Sequence, residues 1–346
     1  SLTSRVATWG RDHRLGVVVD RLESWRYSTP PSPQPATRLE LNVTTTTATT
    51  VAAISVGSTV TSIPMTTSQP QGPRPPADRE PLFSPALPGE GRWLPVANAG
   101  GFDAMWATSM RPLASVGGVV ATMVVIDQTH LRSALFNGSE EPGGSGWING
   151  NRVPVEMQSA LRATMNGGFR FDHIKGGYVT EGRVVKPLRD GDATIAIDAQ
   201  GVMSMGRLGR DLIDDGHWVS LRQNLELIVD DGVSRVQEGI ANGVWWGADY
   251  GNEVYVKRSG LCVIGDGRLA YVMVDQVDAE QFAQSMIAMG CTRAMQLDIN
   301  EDWPSFAVYH DENGEAVPQF VDGRMSGNPR RYLDGSTKEF FAFFER

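Results

Sequence analysis

The chain has 346 residues, 41% of them hydrophobic, and a net charge of −9. That length suits one large domain or two ordinary ones and supports a substantial core, while the negative balance argues against general nucleic-acid binding, which calls for a basic surface. No run of about 18 apolar residues is present, so no segment reads as a membrane-spanning helix.

In chain order, residues 1–30 are mixed, with VVVDRLESW patterned as a short amphipathic helix. No signal peptide is visible. The chain opens on Ser1, and the reading places a leader or anchor ahead of it. Residues 30–80 are rich in Pro, Ser and Thr (PPSPQPA, TTTTATT, SQPQGPRPPADREP), a composition of extended linkers. Within them LELNVTTTT and TTVAAISVGSTVTSI are β-prone and could dock as strands. Residues 1–80 are therefore expected to form a helix stub and a stalk-like linker, and 81–346 the folded domain.

From residue 81 the strands dominate. GRWLP and AMWATSMRP read as strand segments, and VGGVVATMVVID is a continuous apolar run that predicts a buried strand. ALFNGSEEPGGSGWING is a turn-rich loop. Residues 154–162 read as a short helix, and ATMNGGF as a strand or turn. GGYVTEGRVV, ATIAIDAQGVMSMG and WVSLRQNLELIVDDG read as hairpins punctuated by EG, QG and DG. Residues 278–289 predict the long core helix, with Asp278 as N-cap and Gly290 just past its end. Few helices, many strands and one strand–helix–strand unit predict an α+β fold built on a mixed sheet.

Several segments carry polar residues at strand ends. In Asn166-Gly167-Gly168-Phe169 the glycines allow backbone amides to approach an anion; a capped tight turn is the plainer reading. Arg258-Ser259 precedes the apolar strand GLCVI, where a guanidinium fork can grip phosphate or carboxylate; a surface salt bridge is the alternative. Asp298 ends the strand AMQL ahead of Asn300, Glu301, Asp302 and Trp303, at a position where α/β units open a crevice; a solvated acidic turn is the alternative. Trp303 reads equally as a sugar platform or as core. Arg222-Gln223-Asn224 is a polar interruption between strands that could line a site, with a turn as the plainer reading. The two cysteines, Cys262 and Cys291, are either buried thiols or a disulfide, and the five histidines show no metal-binding spacing.

Taken together, Asn166-Gly167-Gly168-Phe169, Arg258-Ser259, the Asp266-Gly267 turn, Gly290-Cys291 and Leu297-Asp298 resemble, in order, the motifs of the phosphodiester glycosidase family. Its type member removes N-acetylglucosamine to uncover mannose 6-phosphate. The resemblance covers roughly residues 155–310. One departure stands out: where the family has a glycine-rich segment after the aspartate, this chain has Ile299-Asn300-Glu301-Asp302-Trp303. GEGRW, MRP, EEPGG and RRYLDGSTKEFF resemble a bacterial, envelope-associated branch.

The resemblance implies a hydrolase that cleaves the C1–O–P linkage of a sugar phosphodiester through an oxocarbenium-like transition state. The implied substrate is a sugar phosphate or envelope glycan, and the implied place is outside the cytoplasm. In that frame Arg258 and the amides of Gly167 and Gly168 grip phosphate, with Ser259 beside them. Asp298 serves as base or electrostatic stabiliser, Asn166 orients a hydroxyl, and Glu301 with Trp303 contacts the sugar. No cofactor is required, although Asp298 with Asp302 could hold calcium or magnesium. The competing expectation is a non-catalytic envelope module that binds a glycan or protein.

Overall fold

The computed structural model of the protein describes residues 29–42, 72–247 and 254–346. The VVVDRLESW helix and the TTTTATT and TTVAAISVGSTVTSI segments lie outside the described residues. The strands are β1 (Leu94–Ala99), β2 (Phe102–Met110), β3 (Ala121–Ile126), β4 (Leu131–Phe136), β5 (Leu161–Asn166) and β6 (Tyr178–Thr180). They continue as β7 (Arg183–Lys186), β8 (Ala193–Asp198), β9 (Met203–Arg207), β10 (Trp218–Gln223), β11 (Leu227–Asp230) and β12 (Val233–Ser234). The last six are β13 (Val256–Ile264), β14 (Leu269–Val277), β15 (Cys291–Ile299), β16 (Phe306–Glu312), β17 (Glu315–Phe320) and β18 (Phe340–Glu345). Among the described residues four short helices interrupt them: α1 (Val155–Gln158), α2 (Val236–Ala241), α3 (Ala279–Ala288) and α4 (Arg331–Asp334).

The strands form an eight-stranded sheet in the order β1-β2-β3-β14-β13-β15-β11-β12 and two five-stranded sheets, β7-β6-β10-β8-β9 and β17-β16-β5-β18-β4. The α+β, strand-rich reading holds. The expected mixed sheet does not: every strand ladder among the described residues is antiparallel. The β14–α3–β15 unit does join two strands running the same way. However, β13 lies between them and pairs antiparallel with each, so they never share a ladder.

Alternation along β14 explains why this sheet reads as continuous apolar runs. Leu269, Tyr271 and Met273 face a core shared with both five-stranded sheets. Ala270, Val272 and Val274 face α3 on the other side, so both faces are buried. Gly260 on β13 makes that helix contact close, since a Cβ there would stand 2.8 Å from Met286.

Helix α3 follows its sequence signals. The Asp278 side chain accepts from the Gln281 amide and the Gln281 side chain accepts from the Asp278 amide, a capping box, and Gly290 ends the turn at φ 93°. The expected helix over 154–162 is shorter, because Leu161 already starts β5. WVSLRQNLELIVDDG is not a hairpin: β10 and β11 lie in different sheets. Cys262 and Cys291 form a disulfide that ties β13 to β15.

The described parts of the N-terminal region lie against this body. Asn42 donates its amide to the Val321 carbonyl and Leu41 bridges Asp322, while the Ala36 amide donates to the Gly117 carbonyl and the Gly118 amide to the Ser32 carbonyl. Arg79 Nη1 donates to the Ala288 carbonyl at the end of α3, a placement that suits both the orphan carbonyl and the helix dipole. No helix of the described residues is long and apolar enough to cross a membrane.

Candidate active site

The ends of β5, β10 and β15 and the start of β18 come together, so all three sheets contribute to one polar cluster. A β-bulge aims Asp298 into it. On β13, Arg258 pairs with Ile299 and Gly260 with Gln296, which leaves the single residue Ser259 facing both Leu297 and Asp298. The Ser259 hydroxyl fixes the bulge by donating to the Asp298 carbonyl (3.1 Å) and accepting from the Asp298 amide (3.2 Å).

Asp298 is 4% exposed. Its Oδ2 accepts from Lys338 Nζ at 2.5 Å and its Oδ1 from the Ile299 amide at 2.8 Å. Burial pushes the carboxyl above its ordinary range, and the Lys338 ammonium opposes the rise. Lys338 is itself buried, with its ammonium 4.8 Å from the Trp303 ring centre. Asp298 uses one of its three N–H donors.

A second buried ion pair lies alongside. Glu339 Oε1 accepts from Arg222 Nε at 2.7 Å and from the Gly168 amide at 2.9 Å, and it lies 2.7 Å from Arg222 Nη2, which donates to the Phe169 carbonyl. The Gly167 amide donates to the Glu339 carbonyl, and the Phe169 amide to Asn224 Oδ1. Of the NGGF amides, only that of Gly168 meets an anion, and the anion is the protein's own Glu339 carboxylate. The glycines permit this approach: a Cβ on Gly167 would stand 2.5 Å from Glu339 Oε1, and one on Gly168 2.8 Å from Asn224 Oδ1. Arg222, Gln223 and Asn224, for which a turn is the plainer reading of the sequence, are all buried here at the end of β10.

Glu141 completes the group from the loop after β4. Its Oε1 accepts from the Phe171 amide (3.2 Å) and lies 3.4 Å from Arg170 Nε. Burial raises its carboxyl, and nearby Glu339 adds to the rise while Lys338 opposes it.

The expected site residues are thus only partly brought together. Asn166, Gly167, Gly168, Ser259 and Asp298 converge. Asn166 is saturated within the protein: its Nδ2 donates to the Gly167 carbonyl and Ser259 Oγ, and its Oδ1 accepts from the Tyr271 hydroxyl and the Ser305 amide. It ties β5 to β13 and β14, and has no hydrogen-bonding capacity left to orient a substrate hydroxyl.

Arg258 does not join the cluster. Adjacent strand residues point to opposite faces, so with Ser259 toward Asn166 the guanidinium turns to the helix side. There it donates to the carbonyls of Val277 (2.9 Å), Trp246 (2.5 Å) and Val254 (3.0 Å) and to Gln296 Oε1 (3.1 Å). It is 0% exposed, and burial lowers its pKa to about 10. The expectation that Arg258 grips phosphate is corrected by this geometry; Lys338 is the cation beside Asp298.

The loop after Asp298 departs from expectation in a related way. Glu301 Oε2 lies 3.4 Å from Lys257 Nζ. Both Arg331 and Lys338 sit 4.8 Å from the Trp303 ring centre, so cations hold the ring expected to be a sugar platform. The Asp302 amide donates to Asn300 Oδ1, and its carbonyl accepts from Arg331. An Asp298–Asp302 metal site does not fit this arrangement, because the Lys338 ammonium stands against Asp298 where a cation would bind. No group of three or more His, Cys, Asp or Glu among the described residues could hold a metal.

Lys338, Glu339 and Glu141 were missed as site residues. The segment RRYLDGSTKEFF shows a lysine and a glutamate ahead of an aromatic strand, but nothing local marks them as partners of Asp298 and Arg222. A surface pocket of about 220 Å³ lined by Arg132, Asn149, Asp198 and Gln200 contains none of the cluster.

Comparison with known proteins agrees with the motif order. Residues 159–298 match the family model for phosphodiester glycosidase. No curated protein sequence matches the chain. Among solved structures, the catalytic domain of zebrafish N-acetylglucosamine-1-phosphodiester α-N-acetylglucosaminidase, described as auto-inhibited by its pro-peptide, is similar with a TM-score of 0.47. It shares 16% identity, over 72% of this chain and 88% of that one. A hypothetical protein from Synechocystis is similar at TM-score 0.45 and 12% identity, covering 73% of this chain and 64% of that one. A Burkholderia pseudomallei protein described as exported is similar at TM-score 0.41 and 14% identity, covering 67% and 75%. Asn166, Gly167, Gly168, Arg222, Ser259 and Asp298 lie inside the matched segment, whereas Glu141, Lys338 and Glu339 close on it from either side. What these comparisons give is a similarity of residues 159–298 to the phosphodiester glycosidase domain.

Proposed function

We propose that this protein hydrolyses the C1–O bond of a sugar 1-phosphodiester, in a cell-envelope glycan or glycoconjugate outside the cytoplasm. The observation that carries this reading is the buried Asp298–Lys338 pair, set by a β-bulge beside the NGGF turn. Breaking the C1–O bond leaves positive charge on the sugar ring and sends the bonding electrons to a phosphate monoester. That leaving group is a stable anion and needs little proton donation. Asp298 faces the developing cation and takes a proton from the attacking water. Lys338, with two donors beyond the one given to Asp298, receives phosphate oxygens.

Two further observations support the setting. Disulfides persist in oxidising compartments, and Cys262–Cys291 is one. The chain's net charge of −9 argues against nucleic acid as the substrate. The test is incubation with a panel of N-acetylglucosamine, glucose and mannose 1-phosphodiesters, with released sugar quantified by chromatography. Release from at least one substrate is expected, and release from none would sink the reading.

A second reading, a non-catalytic glycan- or protein-binding module of the envelope, draws on one feature: the NGGF amides and Asn166 are all engaged inside the protein. Ligand binding that survives Asp298→Asn, with no turnover by the unsubstituted protein, is its signature.

A further inference from the structure

We propose that Glu141 and Glu339 together form a sugar-hydroxyl subsite, distinct from the Asp298–Lys338 pair; its assignment to the glycosidase substrate rests on the reading above. Each glutamate is half satisfied. Glu339, with a side chain 0% exposed, has Oε1 held by Arg222 and the Gly168 amide, while its buried Oε2 has no partner. Glu141, with a side chain 9% exposed, has Oε1 held by the Phe171 amide and Arg170, and its buried Oε2 also has no partner.

The backbone sets the two side by side. The amides of Glu140 and Glu141 both donate to the Thr337 carbonyl at 2.9 Å, and the Ser139 amide donates to Ser336. This zips the Glu141 turn onto the strand entry that carries Glu339. One short loop then supplies an amide to each carboxylate, from Gly168 and Phe171.

The chemistry of the two free oxygens selects the ligand. A buried acceptor without a donor bears its full desolvation cost, and native proteins retain few of them without a reason. An ionised carboxylate only accepts, so the ligand must bring donors. A phosphate would be repelled by two carboxylates. A metal ion would need more oxygen ligands than this pair offers, and no suitable cluster exists among the described residues. Neighbouring hydroxyls of a pyranose ring meet both conditions: they donate to each oxygen and carry no charge. In this arrangement Lys338 receives the phosphate end of the substrate, and Glu141 with Glu339 reads the ring.

The test is titration calorimetry of the full chain and its Glu141→Gln and Glu339→Gln variants with neutral monosaccharides, sugar 1-phosphates and the matching monodeoxy sugars. Glu339→Gln removes the charge that neutralises buried Arg222 and risks the fold. Glu141→Gln disturbs only the half-exposed Arg170 and the Phe171 amide, and keeps the test decisive. The expected result is that Glu141→Gln weakens sugar binding about tenfold, and that removing one ring hydroxyl weakens wild-type binding by a similar factor. That deoxy penalty should disappear in the variant. Absence of sugar binding to the wild type, equal affinity in wild type and Glu141→Gln, or deoxy sugars that bind as well as their parents, would overturn the proposal. Sugar binding with this pattern but no phosphodiester turnover would sustain the subsite and remove the glycosidase reading. Turnover with KM unchanged in Glu141→Gln would do the reverse.

Discussion

At the residue scale, the chemistry turns on which cation stands beside Asp298. Burial holds that carboxyl above its ordinary value of 3.8, and the Lys338 ammonium resists the shift. If the ionised form is the active one, the rate falls as pH drops through the raised pKa. The acid limb of kcat/KM is therefore expected above pH 3.8, and further up in Lys338→Met, where the opposing charge is gone. Asp298→Asn should remove the limb and lower kcat by about 10²- to 10⁴-fold; a pH-rate profile of the three proteins checks both points. Arg258 behaves differently. Its donors hold three backbone carbonyls and Gln296, so Arg258→Met should cost roughly 3 kcal/mol or more in chemical denaturation. The sequence marks Arg258 and Ser259 as a polar pair at a strand mouth but not which of them faces the site. Alternation guarantees only that they face opposite ways.

At the element scale, the strand ends and the disulfide carry the architecture. Asn300, second in the Ile299-Asn300-Glu301-Asp302-Trp303 segment after Asp298, has a φ of 88°. Its Oδ1 accepts from the amides of Asp302 and Trp303, an Asx-type turn in which asparagine tolerates the left-handed backbone. Asn300→Ala should therefore be about 1 kcal/mol less stable than Asn300→Gly, since both lose the side-chain bonds but only alanine meets the left-handed penalty. Cys262 and Cys291 close a sequence separation of 29. Replacing both with alanine should lower stability by about 3–4 kcal/mol, and reductant should then leave the melting temperature unchanged. Helix α3, its capping box and its terminal glycine were legible because those signals are local. The bulge at Leu297–Asp298 was not: it is a register shift between two strands, and Asp298 looks like any strand-end acid until β13 is laid beside it.

At the scale of the whole molecule, three antiparallel sheets meet where β5, β10, β15 and β18 end or begin. The matched segment supplies the NGGF turn, Arg222, Ser259 and Asp298. The chain on either side supplies Glu141, Lys338 and Glu339. Those three were invisible as site residues in the sequence because each is defined by a partner far along the chain: Lys338 by Asp298, Glu339 by Arg222 and Glu141 by the Phe171 amide. The motif order pointed to the family and the right strands, and only the packing of the sheets shows which charges meet. Initial rates of wild type, Lys338→Met and Arg258→Met, on one sugar 1-phosphodiester and normalised to folded protein, test this arrangement most directly. Lys338→Met is expected to lose about 10²- to 10³-fold in kcat/KM, while folded Arg258→Met stays within about threefold of wild type. A Lys338→Met variant as active as wild type, or a folded Arg258→Met variant that loses activity instead, would contradict it.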